Sequence, residues 1–322
     1  MPPRMNHPTS RRRFLCSTAM AGLTAAAAPA LVAGRAGGVE PLPRSQTPRL
    51  RLGLAAYSFR QFFEHGNAKN GGRPSPSGKP LDMFTFVDYC AEHGCEGAEL
   101  TSYFFPPEPD DAYLLRLKHH AHVRGVTLSG SAVGNVFTHP AGEKRAAAVA
   151  HVKQWIDRCA LLGAPHIRVF AGEKPAEMPI EEARRNCIEA LEEAGDHAAR
   201  KGVFLGVENH GGIVAEADSL LAIVKGVRNP WIGINLDTGN FHTEDPYADL
   251  ARCTPYAVNV QFKADMRPKG QPSAPADVAR VLGILREGKY QGFVTLEYES
   301  AEDPWTGVPK WLGKLRAGIA GH

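Results

Sequence analysis

The sequence predicts a closed (β/α)8 (TIM) barrel, a single α/β domain over residues 50–322. Eight short apolar runs alternate with eight helical patterns across that span. Such strict alternation implies a parallel sheet, and eight repeats imply its closure. The last four runs turn polar at their C-terminal ends, where a barrel carries its functional residues. The turn after the first run, YSFRQF, has no glycine, whereas an open doubly wound sheet would need a Gly-rich phosphate turn there.

The first strand is expected at 50–59 (LRLGLAAYSF), and the first helical pattern covers 82–93. Between them, residues 64–80 are rich in Gly, Pro, Ser and Lys. A long loop on the catalytic face of a barrel is either an active-site lid or a disordered insertion, and a mobile lid is the expectation here. The second strand, 94–103 (GCEGAELTSY), leads into a helix at 111–124, and the third, 125–134 (GVTLSGSAVG), into one at 143–162. The fourth, 164–172 (APHIRVFAG), precedes a helix at 180–201. Gly125 and Gly202 follow helices ending in Arg124 and Lys201, as helix stop signals do. The remaining strands are 202–212 (GVFLGVENHGG), 231–240 (WIGINLDTGN), 256–265 (YAVNVQFKAD) and 292–300 (GFVTLEYES). Helical patterns at 216–227, 246–254 and 276–287 separate them, and one at 304–318 closes the chain.

Hydrophobic content of 43% and charged content of 22% over 322 residues describe a globular protein with a large core. A net charge of +3 without a basic stripe argues against a nucleic-acid partner. The six cysteines form no CxxC pair. Most lie in helical patterns, where cysteine is a small buried apolar group, so no disulfide framework is expected. Residues 1–36 contain SRRRFL at 10–15 and an alanine-rich stretch at 17–34. This order matches a twin-arginine signal peptide. The apolar stretch is too short and weak for a membrane span, so export to the periplasm without stable membrane insertion is expected. Residues 37–49, with three prolines, read as a linker.

Side chains alternate along a strand. Glu208 and His210 therefore share a face, as do Asn235 and Asp237, Gln261 and Lys263, and Thr295 and Glu297. If these faces point into the barrel, several carboxylates crowd together, and a cation is the simplest way to hold them. Oxygen-rich ligands favour Mg²⁺ or Mn²⁺, and histidine would favour Zn²⁺ or Co²⁺. Arg168 is expected to point inward, because Ile167 and Val169 then face the helices. Lys263 could neutralise an oxyanion or pair with Glu299 or Asp265. His210 and His242 are candidates for substrate hydroxyls, Tyr57 and Phe59 for a wall under a sugar ring, and Glu99 for the mouth or an ion pair with Arg168.

The segments VENHGG, LDTGN, VQFKAD and TLEYE resemble the strand ends of the xylose-isomerase-like TIM-barrel superfamily, which includes sugar phosphate isomerases and ketose 3-epimerases. The resemblance spans the chain after residue 50. It implies one divalent metal (Mn, Mg, Co or Zn) on Glu208, Asp237, the strand-seven position and Glu297. It also implies Glu208 and Glu297 as the acid/base pair for proton transfer beside a sugar carbonyl. The family's strand-seven histidine falls at Gln261 here, and an amide oxygen is a weaker ligand than imidazole for Zn²⁺ or Co²⁺. Many members of the family are homo-oligomers, although no segment here marks an interface. The same machinery could also expel a β-hydroxyl, as a lyase or dehydratase. Two rivals are a non-catalytic sugar-binding protein with a degenerate metal site and a three-zinc hydrolase of the endonuclease-IV type. The hydrolase would need more strand-end histidines and a basic groove. Export points to free or oxidised (keto) sugars rather than phosphorylated ones, and no Gly-rich phosphate motif opposes this.

Overall fold

The computed structural model describes residues 37–44, 47–66 and 72–321. Its eight barrel strands are β1 (Leu50–Ala55), β2 (Gly97–Thr101), β3 (Thr127–Ala132), β4 (His166–Phe170), β5 (Phe204–Glu208), β6 (Ile232–Asp237), β7 (Ala257–Phe262) and β8 (Gly292–Leu296). They pair in parallel in the order β1-β8-β7-β6-β5-β4-β3-β2, and β2 closes onto β1. The helices are α1 (Met83–Glu92), α2 (Asp111–Val123), α3 (Glu143–Leu162), α4 (Ile180–Lys201), α5 (Ala217–Gly226), α6 (Pro246–Cys253), α7 (Val278–Glu287) and α8 (Pro304–Ala320). The expected barrel is therefore present, with every helix within a few residues of its pattern. A two-residue antiparallel ladder, Asp265–Met266 with Ala274–Pro275, elaborates the loop after β7.

Local chemistry sets the boundaries. Asp82, Asp110, Asp245, Asp277 and Asp303 each accept a backbone N–H in the first turn of α1, α2, α6, α7 and α8. Each such cap stabilises its helix by about 1 kcal/mol. Gly163 and Gly202 end α3 and α4 in the left-handed conformation, which costs glycine least. Ile167, Val169, Leu205, Val207, Ile234, Leu236, Val260, Val294 and Leu296 are fully buried between sheet and helices. The alternate positions on these strands carry polar groups into the barrel. Gly130 on β3 makes room for one of them, since a Cβ there would lie 1.8 Å from the His166 ring.

The signal-peptide expectation, residues 1–36, lies outside the described residues. Among the described residues, no helix is long and apolar enough to cross a membrane. The expected linker is attached to the barrel. Val39 is buried and donates its N–H to Val227 O at 2.8 Å, Leu42 donates to Pro255 O at 3.0 Å, and Arg44 reaches Ala257 O. These acceptors precede or open β6 and β7, so residues 39–44 lie against the end of the barrel opposite the strand C-termini. In the expected lid, residues 67–71 lie outside the described residues. Its flanks are tied by a Phe63–Leu81 bridge and by Gly72 N–H to Phe63 O at 2.8 Å. Cys90, Cys95, Cys159, Cys187 and Cys253 are buried and unpaired.

Candidate active site

Arg168, as expected, points into the barrel. Its Nε lies 2.8 Å from Glu208 Oε2 at the end of β5, and its Nη1 donates to Val133 O at 2.9 Å. The Nε contact is off the line of a hydrogen bond, so attraction of charge dominates it. The ring of Phe170, two residues along β4, lies 3.9 Å from the guanidinium and 4.6 Å from the ring of His210. Glu208 Oε1 lies 3.0 Å from His210 Nδ1 and accepts from Asn240 Nδ2 at 3.0 Å. Burial pushes Glu208 up, but Arg168, His210 and Lys263 outweigh it, and the carboxyl lies below its ordinary pKa. Its hydrogen bond to Glu208 raises His210, against burial.

Lys263 occupies the other half of the mouth. Its ammonium contacts Glu297 and Glu299 and lies 3.3 Å from Asp237 Oδ2. Glu297 and Glu299 accept two of its N–H groups, while the Asp237 contact is off the line of a hydrogen bond, so attraction of charge dominates it. Asp265, the alternative partner, instead accepts from Ser300. Asp237 is held by its own loop and by β5: Asn209 Oδ1 accepts from Asp237 N at 2.9 Å, Asn209 Nδ2 donates to Asp237 O at 2.8 Å, and Gly239 N donates to Asp237 Oδ1 at 2.9 Å. At Gly239 a Cβ would lie 2.6 Å from the Lys263 side chain, so glycine there gives the lysine its path. Burial pushes Asp237 up to about 7 against Lys263. Burial, together with Glu208 and Glu299, also raises Glu297, and Lys263 offsets this only in part.

Beneath this layer lies a second polar one. Gln261 Nε2 donates to Glu99 Oε1 at 2.6 Å, and Gln261 Oε1 accepts from Asn235 Nδ2 at 2.6 Å. Asn259 Nδ2 bridges Glu99 Oε2 and Asn235 Oδ1, at 2.7 and 2.8 Å. Glu99 therefore pairs with amides, and the expected ion pair with Arg168 is replaced by this network. The expected ligand set also changes. Both ends of the Gln261 amide are engaged in the lower layer, and the cation among Asp237, Glu297 and Glu299 is Lys263. Glu208, Asp237, Gln261 and Glu297 thus do not fit a divalent ion as their common ligand set in this arrangement. No group of three or more His, Cys, Asp or Glu side chains among the described residues is placed to hold a metal ion.

The lower layer carries a stability prediction. Complete burial, with a smaller contribution from Glu297, pushes Glu99 up to about 8. A raised carboxyl favours the fold fully below its unfolded pKa of about 4.5, and that contribution is lost as pH rises through about 8. At about 1.4 kcal/mol per pKa unit, the loss amounts to several kcal/mol. The melting temperature is therefore expected to fall between pH 5 and 9. Glu99→Gln, which stays neutral, is expected to flatten the slope; an unchanged slope in a calorimetric pH series would refute the assignment.

The remaining candidates lie around the mouth. A cavity of about 390 Å³ is lined by Lys263, Glu299, Arg60, Asn240 and His242, among others. His242 is exposed on its wall, with Nδ1 3.1 Å from Arg267 O. Tyr57 is half-buried, its ring 6.2 Å from that of Phe104. Burial and Glu299 raise its pKa, while Lys263 lowers it. Phe59 is buried against Tyr89 and Trp305, behind the strand rather than under a substrate. Sequence reasoning missed Asn240, Asn209 and Phe170. Phe170 was accessible by parity, two residues after Arg168. Asn240, three residues after Asp237, carried no such signal.

A family model described as xylose isomerase-like TIM barrel matches residues 87–315. No curated protein matches the chain. Among solved structures, it is similar to a 3-keto-D-glucoside 4-epimerase from E. coli, with a TM-score of 0.62 and 17% identity over 84% of this chain and 100% of that one. It is also similar to a D-psicose 3-epimerase from Clostridium cellulolyticum H10 solved with D-tagatose, with a TM-score of 0.63 and 16% identity over 84% and 96%. A third is the IolI protein with a binding zinc atom, with a TM-score of 0.64 and 17% identity over 84% and 97%. At these identities the likeness to the solved structures is one of fold.

Proposed function

Because the chain belongs to the xylose isomerase-like TIM-barrel family, we propose that it is a sugar isomerase or epimerase. Glu208 and Glu297 are its acid/base pair for proton transfer beside a carbonyl. One observation carries this reading: the two glutamates stand at the C-terminal ends of β5 and β8 in one mouth, and their surroundings drive their proton affinities apart. Glu208 lies below its ordinary pKa and Glu297 above it. Carboxyls pushed apart in this way divide into a base and an acid. Ionised Glu208 removes the proton from the carbon beside the carbonyl, and protonated Glu297 delivers one to the enediolate from the opposite side.

The charge that develops on the carbonyl oxygen must be balanced. Arg168 and Lys263, both buried, supply positive charge at the same end of the barrel. His210 and Asn240 steady Glu208 and lie where sugar hydroxyls would sit, while His242 and Tyr57 border the mouth. The epimerases among the structural relatives support a sugar as substrate. The leader SRRRFL supports export, and so a free or keto sugar in the periplasm. In D₂O, a panel of ketoses and keto-glycosides should include one whose α-carbon gains deuterium in the presence of the enzyme. If NMR finds no exchange on any of them while a sugar still binds, the chain is a sugar-binding protein.

A further inference from the structure

The mouth crowds together four carboxyl groups, more than a buried pocket tolerates in ionised form without a cation. Glu208, Asp237 and Glu297 are each buried, and Glu299 stands half-exposed above them. Moving a carboxylate out of water costs several kcal/mol unless it is paired. Arg168 answers Glu208 from β4. The other three converge on one atom, Lys263 Nζ, which reaches them from the strand between Asp237 and Glu297. Its stem has a prepared path beside Gly239, and its own backbone N–H donates to Thr238 Oγ1 at 2.9 Å. The position two residues earlier, Gln261, is turned into the lower layer and bonded at both ends.

We propose that the Lys263 ammonium is the resident cation of this site, standing where a divalent metal would otherwise bind Asp237 and Glu297, and that the protein works without a metal. This rests on the reading of the mouth as a sugar site, and it adds how the oxyanion is met. Lys263 is buried and donates to Glu297 and Glu299, so a substrate oxygen reaches its ammonium by displacing the more exposed of these two. Glu299 is that partner. It is the outermost of the three, with its side chain 37% exposed and its other oxygen 3.9 Å from Arg60 Nη1. A sugar oxygen displaces Glu299 from Lys263, and Arg60 receives the freed carboxylate. The ammonium then supplies a compact charge and a directed N–H to the carbonyl oxygen.

The test uses no sugar, so its outcome is independent of the proposed activity. The full chain is stripped with chelator and titrated with Co²⁺, following visible absorption, equilibrium dialysis and melting temperature. The wild type is expected to show no cobalt band, no bound metal and no shift in melting temperature. Lys263→Met removes the charge and is expected to take up a single Co²⁺, with a rise in melting temperature. Lys263→Gln, which can still hydrogen-bond the carboxylates, serves if the Met variant does not fold. Lys263→Arg is expected to exclude the metal as the wild type does. The proposal is overturned by stoichiometric Co²⁺ on the wild type that is lost in Glu297→Gln. It is equally overturned if neither neutral variant binds Co²⁺ better than the wild type.

Discussion

Glu208→Gln is expected to lower turnover by about 10³-fold, within the range for losing a positioned general base, and to abolish solvent deuterium uptake into recovered substrate. The amide keeps the shape of the side chain and its contacts to His210 and Asn240, but it cannot take a proton. Glu297→Gln is expected to behave differently. It also loses product, yet Glu208 still removes the proton and returns a deuteron on the same face, so label enters the substrate without inversion. The pair of outcomes separates the two roles. A Glu297→Gln variant that still turned over would mean a single base moving the proton between adjacent carbons, and the two-base epimerisation would fall. A Glu208→Gln variant that still exchanged label would reverse the assignment. Circular dichroism checks that each variant folds.

The barrel was legible because its signals are local and periodic. Largely apolar segments such as Phe204–Glu208 and Ile232–Asp237, each ending on an acid, mark both a buried strand and its functional end. Parity correctly placed Arg168 inside, because Ile167 and Val169 require the helix side. Parity gives a face but not a depth. Gln261 and Lys263 share the inward face of one segment, yet Gln261 is held by Glu99, 162 positions away in sequence, while Lys263 reaches the mouth. The depth of each depends on partners contributed by β2, β6 and the end of β8, and no local pattern records them. The attachment of residues 39–44 was hidden for a related reason. It rests largely on backbone donors such as Val39 N–H, and a backbone hydrogen bond from an irregular segment leaves little mark on side-chain composition.

Arg168→Met is expected to produce the largest loss of stability, about 3–5 kcal/mol, as when one partner of a buried ion pair is removed. Both side chains of the pair are buried, with relative exposures of 6% and 3%, so solvent does little to replace the missing charge. The loss should depend on pH. A carboxyl whose folded pKa is depressed stabilises the fold above its unfolded pKa, and that contribution disappears as pH falls through the folded value. Glu208 is of this kind, and after burial, which opposes the shift, Arg168 is the main influence on it. Wild type and variant should therefore differ most near neutrality and converge in acid. Catalysis should move in step: without Arg168, Glu208 binds its proton more tightly, and the acid limb of the activity profile shifts to higher pH. Arg168→Lys keeps a charge near Glu208 and is expected to retain most of the profile, losing mainly the contact to Val133 O. An acid limb unmoved in Arg168→Met would show that Glu208 is not the group whose ionisation the reaction requires. The stability difference would then measure packing alone, since the guanidinium also lies against the Phe170 ring.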